Sequence, residues 1–258
     1  MVWSCLVSIL PGMAQTEKLT DYVNPFVGTD GYGNVYPGAQ IPFGGIQISP
    51  DTDSRFYDAA SGYKYNHLTL MGFSLTHLSG TGIPDLGDFL FIPGTGEMKL
   101  EPGTHEDPDQ GYRSRYSHDK EWASPNYYAV ELADYGVKAE MTSGVRSGMF
   151  RFTYPESDNA FIMIDMNHTL WQSCEWSNLR MINDSTITGY KLVKGWGPER
   201  HVYFTATFSK KLTGLRFVQD KKPVIYNTSR FRSSYEAWGK NLMACISFDT
   251  KAGEEVTV

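Results

Sequence analysis

The sequence predicts an all-β protein folded as a large antiparallel β-sandwich. Three observations lead to this prediction. Apolar and polar residues alternate with a period of two in the second half, turn-forming residues are dense in the first half, and no segment carries a long apolar stripe at helical spacing. The 258 residues include 25 Gly, 13 Pro, 14 Phe, 6 Trp and 16 Tyr. This composition suits short strands joined by tight turns, and all-β domains often run to roughly 200–250 residues.

The first half of the chain is rich in turn signals. Between Asp21 and about Gly103, Gly and Pro recur every few residues, as in Gly31-Tyr32-Gly33-Asn34 and Ser79-Gly80-Thr81-Gly82. Short apolar runs lie between these signals. We therefore expect short strands at residues 46–48 and 89–92, each bounded by turns.

The second half shows strand periodicity. In residues 137–142, 150–154 and 201–208, every second side chain is apolar, which places one face of each strand in the core and the other toward solvent. Four more segments continue this series of predicted strands: residues 161–165, 186–193, 242–248 and 255–258.

Both termini carry signals of their own. Residues 3–10 are apolar and Gly12 and Ala14 are small, which predicts a signal-peptide remnant over residues 1–14, although no Lys or Arg precedes Lys18. An unremarkable apolar terminus is the alternative. The sandwich domain is predicted to span residues 21–258, and because its last residues form a strand that is cut short, we expect further sequence downstream.

Composition excludes several classes of function. The chain has 23 Lys and Arg against 29 Asp and Glu, a net charge of −6, which argues against a nucleic-acid partner. No apolar run reaches the roughly 18 residues of a membrane-spanning helix. The six histidines lack the spacing of zinc ligands, and cleavage after Ala14 would leave Cys174 and Cys245, enough for one disulfide but not for a disulfide scaffold.

A few polar residues are candidates for chemistry. Asp51-Thr52-Asp53 lacks the Gly and distal Glu of a calcium loop, so a turn in which Asp caps backbone amides is favoured. Asp85 and Asp88 are paired carboxylates of the kind that glycoside hydrolysis needs, but turn hydrogen bonding explains them equally well. The Gly-rich loop around His77 is either a ligand-binding loop or a tight turn with a satisfied core histidine.

Tryptophan allows two interpretations. Trp171, Trp176 and Trp196 could stack on sugars, but tryptophans buried in the sandwich are favoured because the side chain is large and apolar.

Successive blocks of the first half resemble glycoside hydrolase family 92. The blocks occur in the family's order and approximate spacing: Val23-Asn24-Pro25-Phe26-Val27-Gly28-Thr29, Tyr36-Pro37-Gly38-Ala39-Gln40-Ile41-Pro42-Phe43-Gly44, Ser49-Pro50-Asp51-Thr52, Ser61-Gly62-Tyr63, His77-Leu78-Ser79-Gly80-Thr81-Gly82 and Asp85-Leu86-Gly87-Asp88. The match is strongest over residues 21–95. Several independent blocks in one order are more specific than any single motif.

The resemblance implies a calcium-dependent exo-α-mannosidase that acts with inversion on mannose-containing glycans such as N-glycans or yeast mannan, and the N-terminal signal predicts that it is exported, as a periplasmic or secreted protein. The family pairs this N-terminal sandwich with a C-terminal (α/α)6 domain, which holds the acid, the base and most of the calcium site. We therefore expect no catalytic residue and no metal ligand in this chain. Linkages of the α-1,2 type are the expected substrates.

The resemblance also implies that this domain supplies one wall of the substrate pocket. The candidate substrate-binding residues, with Phe56 as a further aromatic platform, are Tyr57, Ser61, Gly62, Tyr63, His77, Ser79, Gly80, Thr81, Gly82 and Asp85. The sequence departs from the family where Phe56-Tyr57 stand near an expected Trp, and where Leu75 replaces His. Two other functions stay open: a stand-alone carbohydrate-binding sandwich, and a structural domain that packs against a catalytic partner.

Overall fold

The computed structural model describes residues 17–54, 59–224 and 236–258. The signal-peptide prediction for residues 1–14 lies outside these ranges. The described residues form nineteen strands, which in chain order are β1 (Ala39–Gln40), β2 (Gln47–Asp51), β3 (Thr69–Leu70), β4 (Gly72–Ser74), β5 (Leu90–Thr95), β6 (Ser114–Arg115), β7 (Glu121–Ser124), β8 (Tyr127–Leu132), β9 (Val137–Ser143), β10 (Gly148–Tyr154), β11 (Ser157–Asp165), β12 (Ser173–Asn183), β13 (Thr186–Lys194), β14 (Arg200–Thr207), β15 (Gly214–Gln219), β16 (Lys222–Pro223), β17 (Glu236–Gly239), β18 (Leu242–Thr250) and β19 (Glu254–Thr257).

The strands form antiparallel sheets, which confirms the predicted fold class. The largest sheet has eight strands in the order β1-β2-β4-β5-β11-β18-β15-β16, and two others have the orders β19-β10-β9-β8-β7 and β14-β13-β12-β17. Strands β3 and β6 form a small ribbon. Short 3₁₀ turns occur at Leu19–Tyr22, Pro108–Gln110 and His118–Lys120. Within the described ranges, no helix has the length and hydropathy of a membrane span.

The main core lies between the eight-stranded sheet and the two smaller sheets. Strand β11 shows how the period of two builds it: Ala160, Ile162 and Ile164 are fully buried in the main core, whereas Phe161 and Met163 lie in a second cluster on the opposite face. Because both faces of β11 are covered over residues 160–164, this part of the strand is continuously apolar, as is typical of a central strand.

The strand predictions for the second half are confirmed, since five of the seven predicted segments fall within strands and the other two, residues 201–208 and 255–258, extend one residue past the ends of β14 and β19. In the first half the strands are as short as two residues, because the turn-forming residues interrupt them. The thiols of Cys174 and Cys245 are free and buried, so the two cysteines form no disulfide with each other.

The favoured interpretation of the tryptophans was wrong. Trp171, Trp176 and Trp196 are 60%, 46% and 58% exposed. Trp176 and Trp238 lie on the outer face of the four-stranded sheet, where their neighbours Ser177 and Ala237 point into the core instead. The core volume is filled mainly by Phe, Tyr and aliphatic side chains, so these tryptophans are left to solvent.

Candidate functional site

One end of the eight-stranded sheet collects the polar residues of the family-like blocks. Here β4 and β11 end and β5 and β18 begin, as the pairings of Asp165 with Leu90 and with Met243 show. The loop of residues 75–89, which joins β4 to β5, covers this end of the sheet. The segment of residues 166–172, which leaves β11, lies beside that loop, since the Leu170 amide donates to the Leu86 carbonyl at 2.9 Å.

Asp51 is a fully buried carboxylate that joins two histidines. Its Oδ1 accepts from Nε2 of His77 at 2.8 Å, and its Oδ2 accepts from Nε2 of His168 at 2.7 Å. Burial alone would raise the pKa of Asp51, but the charges and hydrogen bonds of His77 and His168 outweigh it and lower the pKa. Asp51 is therefore an ionised hub in the interior, and not the turn-capping residue that its neighbourhood in the sequence predicted.

His77 is held on both sides of its ring. Nδ1 donates to the carbonyl of Gln47 at 2.7 Å, and Nε2 also lies 3.1 Å from the hydroxyl of Ser74. Both ring nitrogens thus have hydrogen-bond partners, which fix the orientation of the ring. His77 is 3% exposed. Its buried hydrogen bonds therefore hold the start of the loop of residues 75–89 in place.

A second buried carboxylate, Asp88, anchors the other end of the loop. Lys191 and Asp88 are both fully buried, with Nζ 3.1 Å from Oδ1, and Oδ2 accepts from Arg200 and from the hydroxyl of Thr76. Burial acts to raise the pKa of Asp88, but the two cations prevail and lower it. Nζ of Lys191 also donates to the His168 carbonyl at 2.6 Å, which connects this cluster to the Asp51 hub.

Asp85 holds the loop against an exposed aromatic side chain. Its Oδ2 accepts from the backbone amide of Trp196 at 2.9 Å, and its Oδ1 accepts from the amide of Leu86 at 2.6 Å and lies 3.7 Å from Arg200. The Asp85 carboxylate is therefore engaged in backbone hydrogen bonds and an ion pair, and the Asp88 carboxylate in ion pairs and a hydrogen bond from a hydroxyl. Neither carboxylate is arranged as the acid or base of a glycosidase.

The predicted substrate-binding residues separate into a buried and an exposed group. Ser61, Gly62, Tyr63, His77 and Asp85 are buried, while Ser79, Gly80 and Gly82 are exposed and Thr81 is half-buried. Tyr57 and Phe56 lie outside the described residues. We give the name loop wall to residues Ser79–Gly82 together with Trp196, whose backbone amide binds Asp85 in the same loop.

The buried members of the Ser61–Tyr63 block have structural partners. Gly62 adopts φ +85°, and a Cβ there would lie 2.1 Å from Oδ1 of Asp51, so the backbone passes too close to the hub for any side chain. The Tyr63 hydroxyl donates to the carboxylate of Glu121 at 3.0 Å, and Glu121 also accepts from Tyr128 and from Nδ1 of His118 at 2.6 Å. Burial raises the pKa of Tyr63 well above its usual value.

A cavity of about 830 Å³ opens beside residues 166–172, the segment that leaves β11. Asp165, His168 and Trp171 line it from the segment that leaves β11, and Tyr112 and Lys240 line it from neighbouring loops. None of the predicted substrate-binding residues whose positions are described lines this cavity.

Calcium does not fit the residues that the structure describes. Among them, no three His, Cys, Asp or Glu side chains are arranged to hold a metal ion. The oxygens of Asp51 face imidazole nitrogens and those of Asp88 face Lys and Arg side chains, which are the partners that a hard cation would have to displace.

Sequence reasoning missed His168, Lys191 and Arg200. One signal was present for Lys191, because it occupies an inward-facing position of β13 between the core positions Gly189 and Val193. A charged residue at a core position requires a buried partner. His168 stood within an Asn-His-Thr sequon, and nothing local connected it to Asp51, 117 residues earlier.

Solved structures of similar fold are glycosidases. The glycosyl hydrolase ccman5 of family GH92 matches with a TM-score of 0.75 and 26% identity over 92% of this chain and 32% of its own. The family GH92 inverting mannosidase of Bacteroides thetaiotaomicron VPI-5482 matches with a TM-score of 0.74 and 24% identity, over 94% of this chain and 31% of its own, which supports the fold. The chain thus spans about a third of the length of these structures.

Curated sequences and family models point the same way. A protein of Arthroderma benhamiae described as an uncharacterized secreted glycosidase is 30% identical over 139 residues, which make up 53% of this chain and 17% of that protein. The model described as glycosyl hydrolase family 92 N-terminal domain matches residues 22–258. Because that match includes nearly the whole chain, the protein belongs to glycosyl hydrolase family 92 and carries the family's N-terminal domain.

Proposed function

We propose that this chain forms one wall of the substrate pocket of an exported α-mannosidase, which removes terminal mannose from N-glycans or mannan with inversion and prefers α-1,2 linkages. Family membership supports the glycosidase activity. The description of one structural relative as an inverting mannosidase supports the sugar and the stereochemistry, and the secreted relative supports export.

The observation that carries the proposal is the way the loop wall is built. Its exposed part, within Ser79–Gly82, offers hydroxyls and backbone groups, and Trp196, whose backbone amide binds Asp85 in the same loop, is 58% exposed. Sugars bind through this pairing of directional hydrogen bonds with an aromatic face. Beneath the exposed part, Asp85 and Asp88 fix the loop by ion pairs and hydrogen bonds, so it is ordered before a ligand arrives.

Inversion requires a general acid for the leaving oxygen and a general base for the attacking water. Since Asp85 and Asp88 are engaged in structural contacts, we propose that both groups lie outside the described residues, on the (α/α)6 domain of the family. Calcium is proposed to bind there as well. The role of this chain is then to orient the sugar and to exclude water from one side of the pocket.

Two measurements test the proposal. Residues 1–258 with added calcium should release no aryl alcohol from aryl α-mannosides, and robust turnover would return Asp85 and Asp88 to consideration as the acid and base. The native protein from the envelope fraction of the source organism should have an intact mass far above that of this chain and should hydrolyse α-mannosides. A native mass equal to that of this chain would favour the carbohydrate-binding alternative.

In the native enzyme, Trp196→Ala should raise KM for α-1,2-mannobiose about tenfold, as expected for the loss of an aromatic stacking partner. Trp122→Ala is a matched control, because Trp122 is also about half exposed but lies on β7, in a different sheet. Equal kinetics for both variants would contradict the loop wall as a sugar contact.

A further inference from the structure

The cavity beside the segment that leaves β11 lies apart from the loop wall. Its volume of about 830 Å³ falls within the roughly 300–1,000 Å³ of small-molecule sites. Its floor includes apolar side chains such as Met71 and Met243, and Asp220, Lys221 and Lys240 contribute charges of both signs to its lining. Such a lining favours a neutral ligand with both apolar and hydroxyl groups over an ion.

Trp171 provides an aromatic face in this lining. It is 60% exposed and adopts φ +71°, a left-handed conformation that is strained for a bulky side chain. Such strain persists only where the surroundings enforce it, and it concentrates at functional positions.

The neighbours of Trp171 impose that conformation. Fully buried Leu170 lies against Gly87, where a Cβ would come within 2.7 Å of it. On the other side, the Gln172 amide donates to the carbonyl of Pro84 at 2.9 Å, and the hydroxyl of Thr169 donates to the carbonyl of Gln172 at 2.7 Å. These contacts hold the segment on both sides of Trp171 and leave the indole in the cavity.

Asp165 provides a hydrogen-bond acceptor in the same cavity. One oxygen accepts from the Asn167 amide at 2.8 Å, while the other accepts a long hydrogen bond of 3.5 Å from the Tyr112 hydroxyl. A carboxylate oxygen has room for two donors, so the second oxygen can also accept from a ligand hydroxyl. Burial raises the pKa of Asp165, although the charges of His168 and Lys191 act to lower it.

His168 completes the polar side of the cavity in a fixed orientation. Its Nε2 is bound to Asp51 at 2.7 Å and its carbonyl accepts from Lys191 at 2.6 Å. Contacts within the protein therefore hold the acceptor, the imidazole and the indole in place, which is the preorganisation that a weakly binding sugar needs.

We propose that this cavity is a saccharide-binding site of the domain, distinct from the loop wall, in which Trp171 stacks on a pyranose and Asp165 accepts from its hydroxyls. That the sugar is a mannoside rests on the proposed function. The site would bind a second residue of the same glycan, or one of its other branches, while the terminal mannose is held for cleavage.

Calorimetric titration of the 258-residue chain with methyl α-mannoside, α-1,2-mannobiose, methyl α-glucoside and lactose tests this inference. We expect binding of at least one mannoside. Trp171→Gly should weaken binding about tenfold without lowering the thermal midpoint, because glycine relieves the strained φ. Asp165→Asn should also weaken binding, while the matched variant Trp122→Ala, at an exposed tryptophan of a different sheet, should leave it unchanged.

The outcomes separate the two proposals. Loss of binding in Trp196→Ala with retention in Trp171→Gly would overturn the cavity site and support the loop wall. Binding of glucoside or lactose alone, lost in Trp171→Gly, would support the cavity as a saccharide site and contradict the mannosidase assignment. Failure to bind any of the four sugars would overturn the inference.

Discussion

The buried ion pair between Asp88 and Lys191 should respond asymmetrically to mutation. Asp88→Asn removes the negative charge beside the fully buried ammonium of Lys191. The described partners that remain for this ammonium are the His168 carbonyl at 2.6 Å and the face of the Phe89 ring at 5.3 Å. An uncompensated buried charge costs about 3–5 kcal/mol. Lys191→Met leaves Asp88 with Arg200, which is partly exposed, and with the hydroxyl of Thr76, so its cost should be smaller, about 1–3 kcal/mol.

Urea unfolding followed by circular dichroism measures both costs. With a slope of about 2 kcal/mol per molar urea, Asp88→Asn should lower the midpoint by roughly 1.5–2.5 M, and Lys191→Met by at most about 1.5 M. The double variant Asp88→Asn/Lys191→Met should be more stable than Asp88→Asn alone, since it removes the stranded charge. A larger loss for Lys191→Met, or a loss below about 1 kcal/mol for Asp88→Asn, would refute this account of the cluster.

Three further predictions concern the hub, acid stability and metal binding. Gly62→Ala should lower the free energy of unfolding by about 3 kcal/mol or more, because its Cβ would meet Asp51. Gly80→Ala, with φ +73° but open space around it, should lower it by only about 1–2 kcal/mol. Equal losses for the two variants would contradict the close approach of Gly62 to Asp51. Hydrogen bonds from Arg151 lower the pKa of Glu140 from 4.5 to about 2, so the stability that Glu140 contributes is present above about pH 4.5 and is lost as the pH falls toward 2. Acid unfolding of Glu140→Gln should therefore show a shallower pH dependence over this window than the parent, and identical curves would contradict the assignment. A chelator should leave the thermal midpoint of the 258-residue chain unchanged, because the described residues include no cluster suited to a metal ion; a drop of several degrees would place a cation in this domain.

The candidate site was only partly predictable from the sequence. Motif spacing located the loop of residues 75–89, including Asp85 and Asp88, and left both a binding loop and a satisfied core histidine open for His77. The structure gives His77 two acceptors and almost complete burial. Local patterns could not choose between these interpretations, since His77 hydrogen-bonds to Gln47 and Asp51, about 30 residues earlier in the chain.

What the sequence by itself determined is the strand content and the family. Side-chain alternation is a local property, so the strands of the second half could be located from neighbouring residues alone. The blocks from Val23 to Asp88 likewise identified the family without any knowledge of contacts.

Only the tertiary structure decided which polar residues meet and which tryptophans are exposed. Asp51 reaches His168 across 117 residues because β2, β4, β5 and β11 lie side by side in the eight-stranded sheet. Asp88 reaches Arg200 across 112 residues because the four-stranded sheet that contains β14 packs against the eight-stranded sheet. Burial of a carboxylate or exposure of an indole depends on what the other sheets place against it. That is set by sheet order and register, which the period of two along a single strand does not encode.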